Sequence, residues 1–76
     1  MEETKVLAKR IQELCKEKGI TCADLAQHCN VSTRRMMYIW HGNMSNPNVF
    51  IIVKICKLLE ISLDEFFDTD EFKAIL

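Results

Sequence analysis

Glycine and proline are scarce in this 76-residue chain, two and one residues respectively, which excludes a collagen-like or Pro/Gly-rich disordered polypeptide. No apolar run exceeds five residues, the length of Val49 to Val53, far short of the roughly 20 needed to span a bilayer as a helix. The charged, amphipathic start lacks the apolar stretch of a secretion signal. No segment alternates apolar and polar residues with a period of two, so no sheet is expected. An excess of one charge is also missing: ten basic and eleven acidic residues leave a net charge of -1, a total that identifies no partner. Cys15, Cys22, Cys29 and Cys56 form no C-x-x-C pair and His28 and His41 no H-x-x-x-H pair. That spacing argues against zinc on Cys22, His28 and Cys29, and neither a metal nor another cofactor is expected. A cytoplasmic protein with reduced thiols is the expectation.

What is present is a folding composition, 49% hydrophobic and 28% charged, in a chain long enough for one domain over residues 1–76. A domain this small buries only roughly 60% of its unfolded surface and has little room for a deep cleft. Asp24, His28 and the cysteines supply reactive residue types but no motif that assembles a nucleophile, base and acid, so an enzyme is not expected. The charge is unevenly placed. Residues 32–57 carry Arg34, Arg35, Lys54 and Lys57 with no acid, and residues 58–76 carry six acids against Lys73 alone. A basic middle has the sign of a phosphate-facing surface.

Helical periodicity runs through the chain. Val6, Leu7, Ile11, Leu14 and Cys15 make the first apolar stripe, stopped by Gly19 with Lys16 and Lys18 in the last turn. Thr21 with Asp24 predicts a capping box for a second helix whose inward side is Leu25, Ala26 and Cys29. Asn30 suits the left-handed bend before Ser32, the cap of a third helix over 33–41 with Met36 and Ile39 inward and Gly42 as its stop. After a polar loop over 43–48, Asn48 caps a fourth helix to about residue 60, with Val49, Ile52, Val53, Ile55, Cys56 and Leu59 as its apolar side. Ser62 caps a fifth with Leu63, Phe66 and Phe67, leaving residues 68–76 as a C-terminal tail. The expected fold is an all-α, compact five-helix bundle.

Two short helices joined by a turn of about three residues, with further helices closing the core, is the arrangement that presents the second of the pair to the DNA major groove. The chain resembles the Cro/C1-type, XRE-like helix-turn-helix family, whose fold is that of the lambda-repressor DNA-binding domain. The resemblance lies in Gly19-Ile20-Thr21, Leu25-Ala26, Val31-Ser32, Ile39, Gly42, Asn46-Pro47 and Ile61-Ser62-Leu63-Asp64-Glu65-Phe66-Phe67, in register from Ile11 to Phe67. It implies a sequence-specific DNA-binding regulator of repressor type, with double-stranded DNA as partner. The base-reading positions it implies are Thr33, Arg34 and Tyr38; supporting positions are Cys22, Ser32, Arg35, Met37, His41, Asn43 and Asn46. Arg34 has the chemistry for a bidentate contact to guanine and Thr33 for a base edge or thymine methyl.

The departures are equally specific. Cys22 stands where the family has glutamine, and a thiol is a poor hydrogen-bonding partner for phosphate. Cys15 and Trp40 replace an arginine and glutamate that pair in relatives, an exchange of ions for apolar groups that speaks to packing, with Trp40 expected against the first helix. Asn43, Asn46 and Asn48 occupy a loop where relatives carry cations, so fewer phosphate charges are neutralised.

The fourth helix is apolar nearly all round at its start, and Phe50 and Ile51 need a cover. One reading is a homodimer seam built from Phe50, Ile51, Phe72, Ile75 and Leu76; the other is that the tail folds back on its own chain. A rival to DNA binding is a protein-interaction module that has lost DNA affinity and takes a partner through the fourth helix and the tail.

Overall fold

The computed structural model of the chain describes residues 2–43 and 49–75. Six helices occur among them: α1 (Glu2–Lys18), α2 (Cys22–Cys29), α3 (Thr33–Trp40), α4 (Val49–Leu59), α5 (Leu63–Phe67) and α6 (Asp70–Ile75). No strand occurs among these residues. The all-α expectation holds with one helix more than the five anticipated, because part of the segment expected as a tail coils into α6.

Side-chain caps explain where the helices start. Thr21 and Asp24 form the complete capping box: the Asp24 N–H donates to Thr21 Oγ1 at 3.1 Å and the Thr21 N–H donates to Asp24 Oδ2 at 3.0 Å. Ser32 Oγ accepts from the Arg35 N–H and Ser62 Oγ from the Glu65 N–H. Thr69 Oγ1 accepts from the Phe72 N–H at 3.2 Å, the cap that starts α6. The stops are left-handed residues. Gly19 and Gly42 take φ of 68° and 73°, Asn30 takes 57°, and Glu60 takes 59° without a glycine's freedom.

The core draws on every helix. Ile11 and Cys15 of α1, Leu25 and Cys29 of α2, Met36 of α3, Ile55 and Leu59 of α4 and Phe66 of α5 are its most deeply buried side chains. α2 lies against α3 and α4, while α1 crosses α3, α4 and α6. α6 brings Phe72 into a three-ring cluster, its ring centroid 4.9 Å from Phe67 and 6.1 Å from Phe66.

These positions correct part of the expected dimer seam. Ile51 and Phe72 are 6% and 5% exposed, so both belong to the chain's own core. Ile51 falls on the helical face of Ile55 and Leu59, and Phe72 is drawn in by the other two rings. Ile75 packs partly against the same core, and Leu76 lies outside the described residues. The tail therefore folds back, but onto α1, and leaves Val49 and Phe50 60% and 70% exposed. Val49, expected inward, is exposed at the first position of its helix. No helix among the described residues is long and apolar enough to cross a membrane.

Candidate nucleic-acid interface

α3 is a short amphipathic helix whose two faces have opposite fates. Met36 and Ile39 are buried and Trp40 is half-buried, so the residues three and four apart on the far side turn outward together. Arg34, Met37, Tyr38 and His41 fall on that side and, with Asn43, line one surface depression of about 240 Å³. Its lining holds a guanidinium, a phenol, an imidazole, an amide and a thioether, and no carboxylate. Thr33 and Arg35 are exposed on the two flanks of this face, outside the depression, and Ser32 is exposed at its start, where its hydroxyl is engaged by the Arg35 N–H.

The far end of α3 is held by α1. A helix leaves its last carbonyls without intrahelical partners, and here the carbonyls of Trp40, the last residue of α3, and of the two residues that follow it accept from α1 side chains. Gln12 Nε2 donates to the Trp40 carbonyl at 2.6 Å, Lys5 Nζ to the His41 carbonyl at 3.2 Å and Thr4 Oγ1 to the Gly42 carbonyl at 3.1 Å. Lys5 Nζ also donates to Asn43 Oδ1 at 3.3 Å. The approach is close enough that a Cβ on Gly42 would stand 3.1 Å from the Thr4 carbonyl oxygen and 3.2 Å from Lys5 Cα. Glycine is required there twice over, for its φ and for the space.

The residues singled out from the sequence are thus distributed unevenly. Arg34, Met37, Tyr38, His41 and Asn43 meet around the depression; Asn46 and Asn48 lie outside the described residues. Cys22 does not join them. Its half-buried side chain packs against the core near Cys15, and burial raises the pKa of both thiols above the ordinary value, that of Cys15 to about 11 with a smaller contribution from the Cys22 charge. Cys29 and Cys56 are raised by burial as well, so all four free cysteines are neutral thiols near pH 7. Trp40 borders a groove with Lys9, Gln12, Glu13 and Lys16 of α1, next to the first helix as expected. Among the described residues no three His, Cys, Asp or Glu side chains are grouped to hold a metal.

Lys5, Thr4 and Gln12 were not foreseen. Nothing local marks them, since each lies near 30 to 40 positions from its partner, 36 for Lys5 and His41; only the crossing of α1 over α3 brings them together.

The acids collect elsewhere. α5 and α6 carry Asp64, Glu65, Asp70 and Glu71 with Asp68 between them, and they pack on α4 and α1. Lys9 meets Glu71 at 3.1 Å and Lys73 meets Asp68 at 3.2 Å, both exposed pairs. The chain therefore presents a carboxylate-free face on α3 and an acidic one on α5 and α6.

A family model for the Cro/C1-type helix-turn-helix DNA-binding domain matches residues 10–71. No curated protein and no solved structure matches the chain.

Proposed function

Since the chain belongs to the Cro/C1-type helix-turn-helix DNA-binding domain family, we propose that it is a small sequence-specific transcriptional regulator of repressor type, one domain over residues 1–76, working in the cytoplasm as a homodimer. The observation that carries this reading is the outward face of α3, where Arg34, Met37, Tyr38 and His41 share a carboxylate-free surface whose far end is fixed to α1. α3 enters the major groove. Arg34 reads guanine through its O6 and N7, Thr33 at the helix start reads a base edge or thymine methyl, and Tyr38 reads one turn further on. Ser32, Arg35, Met37, His41, Asn43 and Asn46 position the helix at the backbone. Cys22, whose thiol is a poor hydrogen-bonding partner for phosphate, adds least to that set.

One copy supplies one α3, and its longest dimension is 31 Å. Two recognition helices about 34 Å apart, one helical turn of duplex, therefore require two copies. Val49 and Phe50, the exposed apolar pair at the start of α4, are the surface for that second copy.

Selection from a random duplex library at low and moderate salt tests the reading. Enrichment of a palindrome, weakened by salt and relaxed in Arg34→Ala at the position that Arg34 reads, is the expected result. Feeble binding without enrichment would instead favour a protein partner at Val49 and Phe50, the reading that the same exposed pair supports.

A further inference from the structure

Resting on the DNA-binding reading, we propose that Lys5 of α1 is a phosphate anchor of this interface, supplying from a remote part of the chain the cation that the asparagine loop after α3 lacks. The geometry rests on two bonds. The Lys5 ammonium donates to the His41 carbonyl at 3.2 Å and to Asn43 Oδ1 at 3.3 Å, which sets it at the C-terminal end of α3 beside two residues that line the Arg34 and Tyr38 depression. An ammonium has three N–H donors. With two given to neutral oxygens, the third remains for an anion, and neither of these partners cancels the charge. The side chain is exposed, so a duplex lying on α3 meets it without any rearrangement.

Lys5 also sets the polarity of its neighbour. Because the Asn43 amide oxygen accepts from Lys5, its NH₂ points away from the lysine, and the amide presents a donor at the rim of the depression. Lysine and asparagine then act as one donor pair. The charge is what a phosphate senses at longest range, and the amide adds a directed hydrogen bond. The three carbonyls tied down by Gln12, Lys5 and Thr4 keep that pair in register with Arg34.

A phosphate contact and a base contact are told apart by salt. Each phosphate neutralised contributes about 0.9 to the slope of log K against log salt on B-form DNA. The full chain and its Lys5→Met, Lys5→Arg and Arg34→Ala variants are titrated with the random duplex pool and with the duplexes retained by selection, across a series of salt concentrations. Lys5→Met is expected to lower the slope by about 1 and to weaken both classes of duplex alike, on the order of fivefold to tenfold near 0.1 M salt. Lys5→Arg should retain the slope. A helical circular-dichroism melt of each variant shows whether α3 keeps its seat, and a Lys5→Met protein that melts like the wild type but binds with the lower slope identifies a lost charge and not a lost fold. An unchanged slope in Lys5→Met, with wild-type binding intact, overturns the anchor and leaves the DNA-binding reading standing. Wild-type protein that binds neither class at low salt overturns both.

Discussion

α1 caps the ends of two other helices, and the two ends differ in what surrounds them. At α3, Gln12, Lys5 and Thr4 bind three successive carbonyls, and the surface beyond carries Arg34 and His41 with no acid in its depression. At α5, Arg10 Nε donates to the Phe66 carbonyl at 2.8 Å and its other guanidinium nitrogen to the Glu65 carbonyl at 2.9 Å, and the surface beyond is carboxylate-rich. The same device, a cation at the negative end of a helix, borders a carboxylate-free surface in one place and a carboxylate-rich one in the other. What distinguishes them is the charge each helix turns outward. α5 exposes Leu63, Asp64, Glu65 and Phe67 around the buried Phe66, whereas α3 exposes Thr33, Arg34, Arg35, Met37 and Tyr38.

The most drastic way to break that comparison is to empty the aromatic joint. Phe66 is fully buried and its ring meets those of Phe67 and Phe72, and Phe66→Ala should lose about 3–5 kcal/mol of stability through lost burial and an incompletely collapsed cavity. In a single cooperative domain the α3 end falls with it, giving one unfolding transition by tyrosine or tryptophan fluorescence and by circular dichroism. Two separate transitions would show that α5 and α6 are a detachable cap and that the ends are independent.

The two glycine stops separate strain from space. Gly42→Ala meets the Thr4 carbonyl oxygen and Lys5 Cα as well as a φ of 73°, whereas Gly19→Ala has nothing within 4 Å and meets only its φ of 68°. Left-handed strain alone should cost about 1 kcal/mol at Gly19, and strain plus overpacking about 2–4 kcal/mol at Gly42. Urea midpoints of the two variants measure both. Equal losses would mean that α1 does not hold α3 as tightly as the distances imply.

Charges on the two surfaces should matter to DNA in opposite measure. Arg34→Ala is expected to lose about 1–3 kcal/mol on a selected duplex and to relax preference at one position. Asp64→Asn, on the acidic surface, should strengthen all duplexes by a few tenths of a kcal/mol, a rim-charge effect that fades with salt. Equal losses for Arg34→Ala on selected and random duplex would reassign that guanidinium to the backbone.

Much of this architecture was legible from local chemistry, and the exceptions share a cause. Thr21 with Asp24, Ser32, Ser62, Gly19, Asn30 and Gly42 act where their side chains or φ preferences place them, because a cap involves residues within about one turn of each other. Glu60 carried no such signal: its left-handed φ is sustained by the Ile61 N–H reaching the Cys56 carbonyl at 3.1 Å and by the docking of Ile61 on the core. α6 hid behind acidic side chains, since only Phe72 and Ile75 face inward in so short a helix. Val49 to Val53 are all apolar, so periodicity could not choose between Val49 and Ile51 for the core. On α3 the outward residues followed from helical spacing, while Lys5, Thr4 and Gln12 required the tertiary crossing of α1, which no local pattern encodes.

A pH-dependent effect concerns the interior that both ends share. Burial raises the Cys15 thiol from its ordinary 9.0 to about 11, so the folded state holds a proton that the unfolded chain gives up earlier. Stability from this group is complete below pH 9 and is lost as the pH rises toward 11. Cys22, Cys29 and Cys56 shift in the same direction through burial, and Lys9, raised chiefly by its hydrogen bond to Glu71, adds a loss of the same sign above 10.5. Urea midpoints followed across this range should therefore decline for the wild type and decline less for Cys15→Ala, which starts lower because a buried sulfur is gone. Since Cys15 touches neither surface, the α3 and α5 ends should weaken together, as read by duplex binding and by helical signal at each pH. Parallel curves for the two proteins would place the alkaline loss in groups other than Cys15, among them Cys22, Cys29, Cys56 and Lys9.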